Sequence, residues 1–166
     1  CDVAVVTNVG SGDHLGLNYI TTVQDLAVLK RVIVQNVSPT GVAVLNATDP
    51  VVSAMAGKCR GSVTFFAVDR FHPVMATHRA QGQAVVYVEN GFLVACKGEF
   101  QQTIALSAIP ITMDGMIPFQ VENVMASVTA AWALGLDWDT IRSGLAGFST
   151  DAHNAHGRFT LFKYRG

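Results

Sequence analysis

Charge is scarce in this sequence: 14% of its 166 residues are Asp, Glu, Lys or Arg, and eleven Lys and Arg stand against twelve Asp and Glu. Without a basic excess there is nothing to follow a phosphate backbone, which argues against a dedicated nucleic-acid binder and leaves room for a small anionic ligand. Cysteine is scarce too. Cys1, Cys59 and Cys96 have neither the paired spacing of a zinc site nor the density of a disulfide scaffold, and they read as small buried hydrophobes in a reducing cytoplasm. No apolar run reaches the roughly 18 residues that would predict a membrane span. There is also no internal repeat, low-complexity tract, initiator Met or signal peptide, so the chain is expected to begin and end inside a larger protein. What is abundant is apolar: half of the residues are hydrophobic, enough for one core-rich domain over residues 1–166 and too many for a disordered chain.

The apolar residues are arranged in alternating periods. Asp2 to Val9 is a β-branched run that empties into Gly10-Ser11-Gly12, the pattern of a strand buried on both faces. From Thr22 to about Asn36 the spacing turns helical through Leu26, Leu29 and Ile33, and Thr22-x-x-Asp25 has the form of a capping box. Val42 to Asn46 and Ser62 to Ala67 read as further strands, with a helix opened by Asp49-Pro50 between them. This alternation predicts an α/β fold with a partial, doubly wound and mostly parallel sheet, whose ligands gather at the carboxyl ends of the strands. Gln83–Val88 and Phe92–Lys97, joined by Asn90-Gly91, predict an antiparallel insert or side sheet, with a third strand over Gln102–Leu106. An amphipathic helix follows Pro118, a shorter one follows Asp137, and a last strand is expected near Phe159.

Several residues could carry chemistry. Asn8, Asp13 and His14 sit on the loop after the first strand, which suits a hydrated divalent cation beside a phosphate and equally suits an ordinary turn. Lys30 falls among the apolar residues of the next helix; it either snorkels or, desolvated, accepts carbon dioxide as a carbamate. Gln120, Glu122, Asn123 and Ser127 lie on the less apolar side of the long helix, where a solvated face is the ordinary explanation. The amide of Asn123 also offers the donor and acceptor that match the edge of an adenine. Asp151, His153 and His156 are too closely set on a loop for a structural zinc site. Arg158 beside them can clamp a phosphate or form a surface ion pair.

Taken in order, Thr7-Asn8-Val9-Gly10-Ser11-Gly12-Asp13-His14-Leu15-Gly16-Leu17, Asp25-Leu26-Ala27-x-x-Lys30, Val44-Leu45-Asn46-Ala47-Thr48-Asp49-Pro50, Gln120-Val121-Glu122-Asn123 and Gly157-Arg158-Phe159 resemble the Mur-ligase-like central part of the cyanophycin synthetases over nearly the whole chain. The resemblance implies an ATP- and Mg²⁺-dependent amide ligase that forms an acyl phosphate and attaches arginine to the aspartate side chains of a cyanophycin-type polymer. It implies that His14 binds magnesium, that Lys30 stands where several Mur ligases carry a carbamylated lysine, that Asn123 with Gln120 contacts adenine, and that Arg158 reaches the nucleotide. Asn46 and Asp49 match a turn whose implied role is mainly structural.

Gly12 stands where the family often has Glu, and His156 where it has Pro. The Gly-x-x-x-x-Gly-Lys-Ser/Thr phosphate loop does not occur in the chain, and the resemblance places it ahead of residue 1, with the amino-acid-delivering domain after residue 166. The chain alone is therefore expected to be inactive, and the apolar surface left by the missing flanks predicts a homo-oligomer. The competing expectations are a degenerate ligase domain kept as a scaffold and a different Mur-type ligase.

Overall fold

The computed structural model describes residues 1–10, 16 and 20–148. Its sheet has six strands in sequential order: β1 Val3–Val6, β2 Val42–Asn46, β3 Ser62–Phe66, β4 Val85–Glu89, β5 Phe92–Lys97 and β6 Phe100–Ala105. β1 to β4 pair in parallel, and β5 and β6 continue the same sheet in antiparallel sense. The expected antiparallel strands are thus the flank of the main sheet, because β4 pairs with β3 on one side and with β5 on the other. Asn90 and Gly91 take φ of 50° and 78°, the two positive values that a two-residue type I′ hairpin turn requires.

Helices cover both faces, as the alternation predicts. One core gathers Ala4, Val34, Leu45, Val52, Phe65 and Met75 beneath α1 (Val23–Gln35), α2 (Pro50–Ser53) and α3 (Pro73–Ala80). The other gathers Val44, Phe66, Val86, Met125 and Ile141 beneath α4 (Pro118–Ala133) and α5 (Trp138–Gly147). The helix after Asp49 is shorter than its spacing suggests: α2 gives way at Ala54 to a 3₁₀ turn that runs to Lys58. α3 has no counterpart in the sequence reading, since its eight residues are too few to establish a period.

The expected capping box is formed. Asp25 N–H donates to Thr22 Oγ1 at 3.1 Å, and Thr22 N–H returns to the Asp25 carboxylate at 3.0 Å. The Thr22 hydroxyl contact leads the interactions that hold the Asp25 carboxyl below its ordinary value. The apolar face of α1 is rotated from the expected one. Leu26 and Val34 are buried, whereas Leu29 and Ile33 are about half exposed. Lys30 therefore lies on the buried row, one turn from each of Leu26 and Val34. Among the described residues β1 is an edge strand, and α1 adds an exposed apolar stripe of Val28, Leu29, Val32 and Ile33 beside it. No helix of the described residues is long and apolar enough to cross a membrane. The strand expected near Phe159 lies outside the described residues.

Candidate functional site

The parallel strands β1 to β3 all end on one rim of the sheet, and the chain leaves them there through Asn8, Asn46 and Asp69. Two reversals make β6 run in the same sense as β4, so Ala105 also leaves the sheet at this rim. Two short 3₁₀ turns later α4 begins. Its far end, Trp132 and Ala133, borders Val42 and Ser62 at the strand starts, so α4 runs antiparallel to the strands. The first two turns of α4, with Gln120 and Asn123, consequently belong to the rim that receives the loop after β1.

Gln120 is buried and Asn123 exposed, and Asn123 Nδ2 donates to Gln120 Oε1 at 3.3 Å. Both line a cavity of about 440 Å³ with Ile111, Val124, Leu145 and Phe148. Apolar walls with two linked amides suit a flat heterocycle, since the walls take its faces and the amides its polar edge. The Ser127 hydroxyl, in the same wall, is turned back to the Asn123 main-chain carbonyl at 2.8 Å.

Around the end of β1 the polar groups are paired with backbone. Lys30 Nζ donates to the Asn8 carbonyl at 3.1 Å. Asp49 accepts from Val9 N–H at 2.8 Å through Oδ2, and through Oδ1 from Val51 N–H at 2.9 Å and Val52 N–H at 3.1 Å. Asn46, nearly buried, accepts from the amide and hydroxyl of Thr48 at 2.9 and 2.7 Å. No group of three or more His, Cys, Asp or Glu is gathered as a metal site among the described residues. Asp13, His14, Asp151, His153, His156 and Arg158 lie outside the described residues, so the expectations for His14 and Arg158 are carried forward as proposals.

The sequence reading passed over the turn that follows β3. There Arg70 pairs with Glu89 at the end of β4 and lies 4.6 Å from the Phe71 ring centroid. Phe71 is two-thirds exposed. The signal available was positional: Asp69, Arg70 and His72-Pro73 follow a buried strand and precede a helix, as polar rim residues do. The cysteines divide. Cys96 is buried, Cys59 half-buried and Cys1 exposed; burial pushes the Cys96 thiol up, which leaves it a packing residue.

A model of the Mur ligase middle domain matches residues 1–131. The chain belongs to that family. It is 43% identical over 164 residues to a cyanophycin synthetase of Synechocystis sp., covering 98% of this chain and 19% of that protein. It is 42% identical to a cyanophycin synthetase of Geminocystis herdmanii, covering 98% and 18%. A UDP-N-acetylmuramoylalanine–D-glutamate ligase of Desulfitobacterium hafniense is more distant, at 29% over 154 residues, covering 92% and 30%. The fold matches a crystal structure of MurF from Acinetobacter baumannii with TM-score 0.62 at 18% identity, over 98% of this chain and 31% of that one. The chain thus spans about a fifth of the length of the cyanophycin synthetases it matches. Its family is one of ligase-type enzymes.

Proposed function

We propose that this Mur ligase middle domain handles the nucleotide for an ATP-dependent amide ligase that attaches arginine to aspartate side chains of a cyanophycin-type polymer. The observation that carries the reading is the Gln120–Asn123 amide pair on the wall of an apolar cavity, set on the same rim as the loop after β1. With Gln120 Oε1 engaged by Asn123 Nδ2, Asn123 Oδ1 can accept from an adenine amino group and the Gln120 amide nitrogen can donate to a ring nitrogen.

The chemistry follows from the reaction class. The γ-phosphoryl group passes to the polymer carboxylate and ADP leaves; the arginine amine then attacks the acyl carbon, inorganic phosphate departs with the bond electrons, and the amine loses a proton. Such transfers depend on positioning and charge neutralisation. Arg158 is assigned to the nucleotide phosphates, where a guanidinium can bridge two oxygens. His14 is assigned to Mg²⁺, which neutralises phosphate charge when bound. Asp49 is unsuited as a ligand because its oxygens are directed to three backbone amides. For Lys30, the bond from its side-chain nitrogen to the Asn8 carbonyl supports a positioning role.

The test is polymer growth by the full-length protein supplied with cyanophycin primer, aspartate, arginine and ATP. Arginine- and ATP-dependent elongation is expected from it, and none from the 166-residue chain alone. Failure of the full-length protein to consume ATP on adding arginine would overturn the reading in favour of a scaffold.

The edge strand β1 and the exposed stripe of α1 also support self-association of the isolated chain. Light scattering at high concentration should find a dimer or larger species, and a strictly monomeric one would refute it.

A further inference from the structure

We infer that Asp49 and Lys30 together clamp the Asn8–Val9 peptide and thereby position the loop that leaves β1. The carbonyl of Asn8 and the N–H of Val9 belong to one peptide unit. Lys30 Nζ holds the carbonyl at 3.1 Å and Asp49 Oδ2 holds the N–H at 2.8 Å, so a cation from α1 and an anion from the β2–α2 turn grip the same planar group from opposite sides.

Register explains why the clamp stands here. The β1–β2 ladder closes at Val6 opposite Leu45, so the peptide three residues on has passed the last paired strand residue. Val9 is nevertheless buried, and a buried N–H needs an acceptor. The neighbouring strand has by then turned into the first residues of α2, whose N-cap is Asp49. The carboxylate serves both elements, with one oxygen on the cap amides Val51 and Val52 and the other on Val9. A cap alone would need only the first oxygen, and serine or asparagine supplies one.

On the other side, Lys30 lies on the inward row of α1 between Leu26 and Val34, which directs its ammonium along the helix toward the end of β1. Both amide dipole ends are thus fixed by charged groups, whose hydrogen bonds are stronger than neutral ones. Gly10 follows immediately, and the chain then carries Asp13 and His14. Movement of the Asn8–Val9 peptide would displace the origin of that segment.

The kinetic part of this inference rests on the ligase reading; the structural part does not. Asp49→Ser keeps a capping oxygen but is too short to reach Val9. In the intact protein, hydrogen exchange at the Val9 amide should accelerate roughly ten- to a hundredfold, while the amides of Val51 and Val52 stay protected. Lys30→Met should loosen the same amide and Lys30→Arg should preserve its protection. In polymer elongation, Asp49→Ser should lower kcat on the order of tenfold or more, with KM for ATP held within about twofold because the adenine wall is untouched. Unchanged Val9 exchange in Asp49→Ser overturns the clamp. Faster exchange with unchanged kcat overturns the positioning role and leaves a purely structural contact. Absence of turnover in the unmutated protein counts against the ligase reading, and the exchange result alone then decides the clamp.

Discussion

Replacing Asn123 by leucine in the full-length protein is expected to raise KM for ATP by roughly five- to 150-fold, the range that about 1–3 kcal/mol of lost amide recognition produces. The chain of reasons starts from α4. Its first turns reach the rim where the strands end, Gln120 is buried there, and Asn123 donates to it across 3.3 Å. The substitution removes the carbonyl assigned to the adenine amino group and also releases Gln120, which loses its tether. Asn123 is exposed and leucine is the better helix former, which offsets part of the lost contact to Gln120, so folding should change by no more than about 1 kcal/mol. Discrimination between ATP and GTP should fall together with affinity, since only recognition of the base has been altered. Ser127→Ala is the control in the same wall: its hydroxyl is already spent on the Asn123 main-chain carbonyl, not on the side-chain amide, and KM should barely move. An Asn123→Leu protein with unchanged KM would remove the adenine assignment.

The second large effect concerns stability. At the opposite rim, where the strands begin, three backbone segments meet closely. Val42 N–H donates to the Asp2 carbonyl at 2.8 Å, Ser62 N–H to the Gly41 carbonyl at 2.9 Å, and Gly41 N–H to the Ser38 carbonyl at 2.9 Å. A methyl group on Gly61 would stand 2.2 Å from the Gly41 oxygen and 2.6 Å from the Ser38 oxygen. Neither neighbour is a flexible side chain, so relief requires the start of β3 to separate from the turn before β2. Gly61→Ala should therefore destabilise the chain by about 3 kcal/mol, the upper end of overpacking costs, as a lower urea midpoint. Gly57→Ala is the control. Nothing lies within 4 Å of its added methyl, and its midpoint should shift by the equivalent of about 0.5 kcal/mol at most. Equal midpoints for the two variants would show that the rim yields more readily than its geometry implies.

What the sequence determined by itself is what depends on near neighbours along the chain. The Thr22–Asp25 capping box, the Asn90-Gly91 hairpin turn and the Asp137 cap of α5, which accepts from Thr140 N–H at 2.9 Å, each involve atoms a few residues apart. Local chemistry therefore specifies them. The same holds for strand β2, whose uninterrupted Val42–Leu45 run requires burial on both faces.

Tertiary structure decided whatever depends on which elements become neighbours. The periodicity of α1 admits several inward faces, and only its placement over the sheet selected Leu26, Lys30 and Val34 while leaving Leu29 and Ile33 exposed. Parallel pairing of β4 with β3 gave β6 the direction that brings α4 to the rim where the strands end. Asp49, which the sequence marks as a helix cap, gained its second task only because the β1–β2 register leaves the Val9 amide beside it. A hydrogen bond spanning 40 residues leaves no periodic trace in the letters, because its partners are chosen by packing between elements and not by spacing within one.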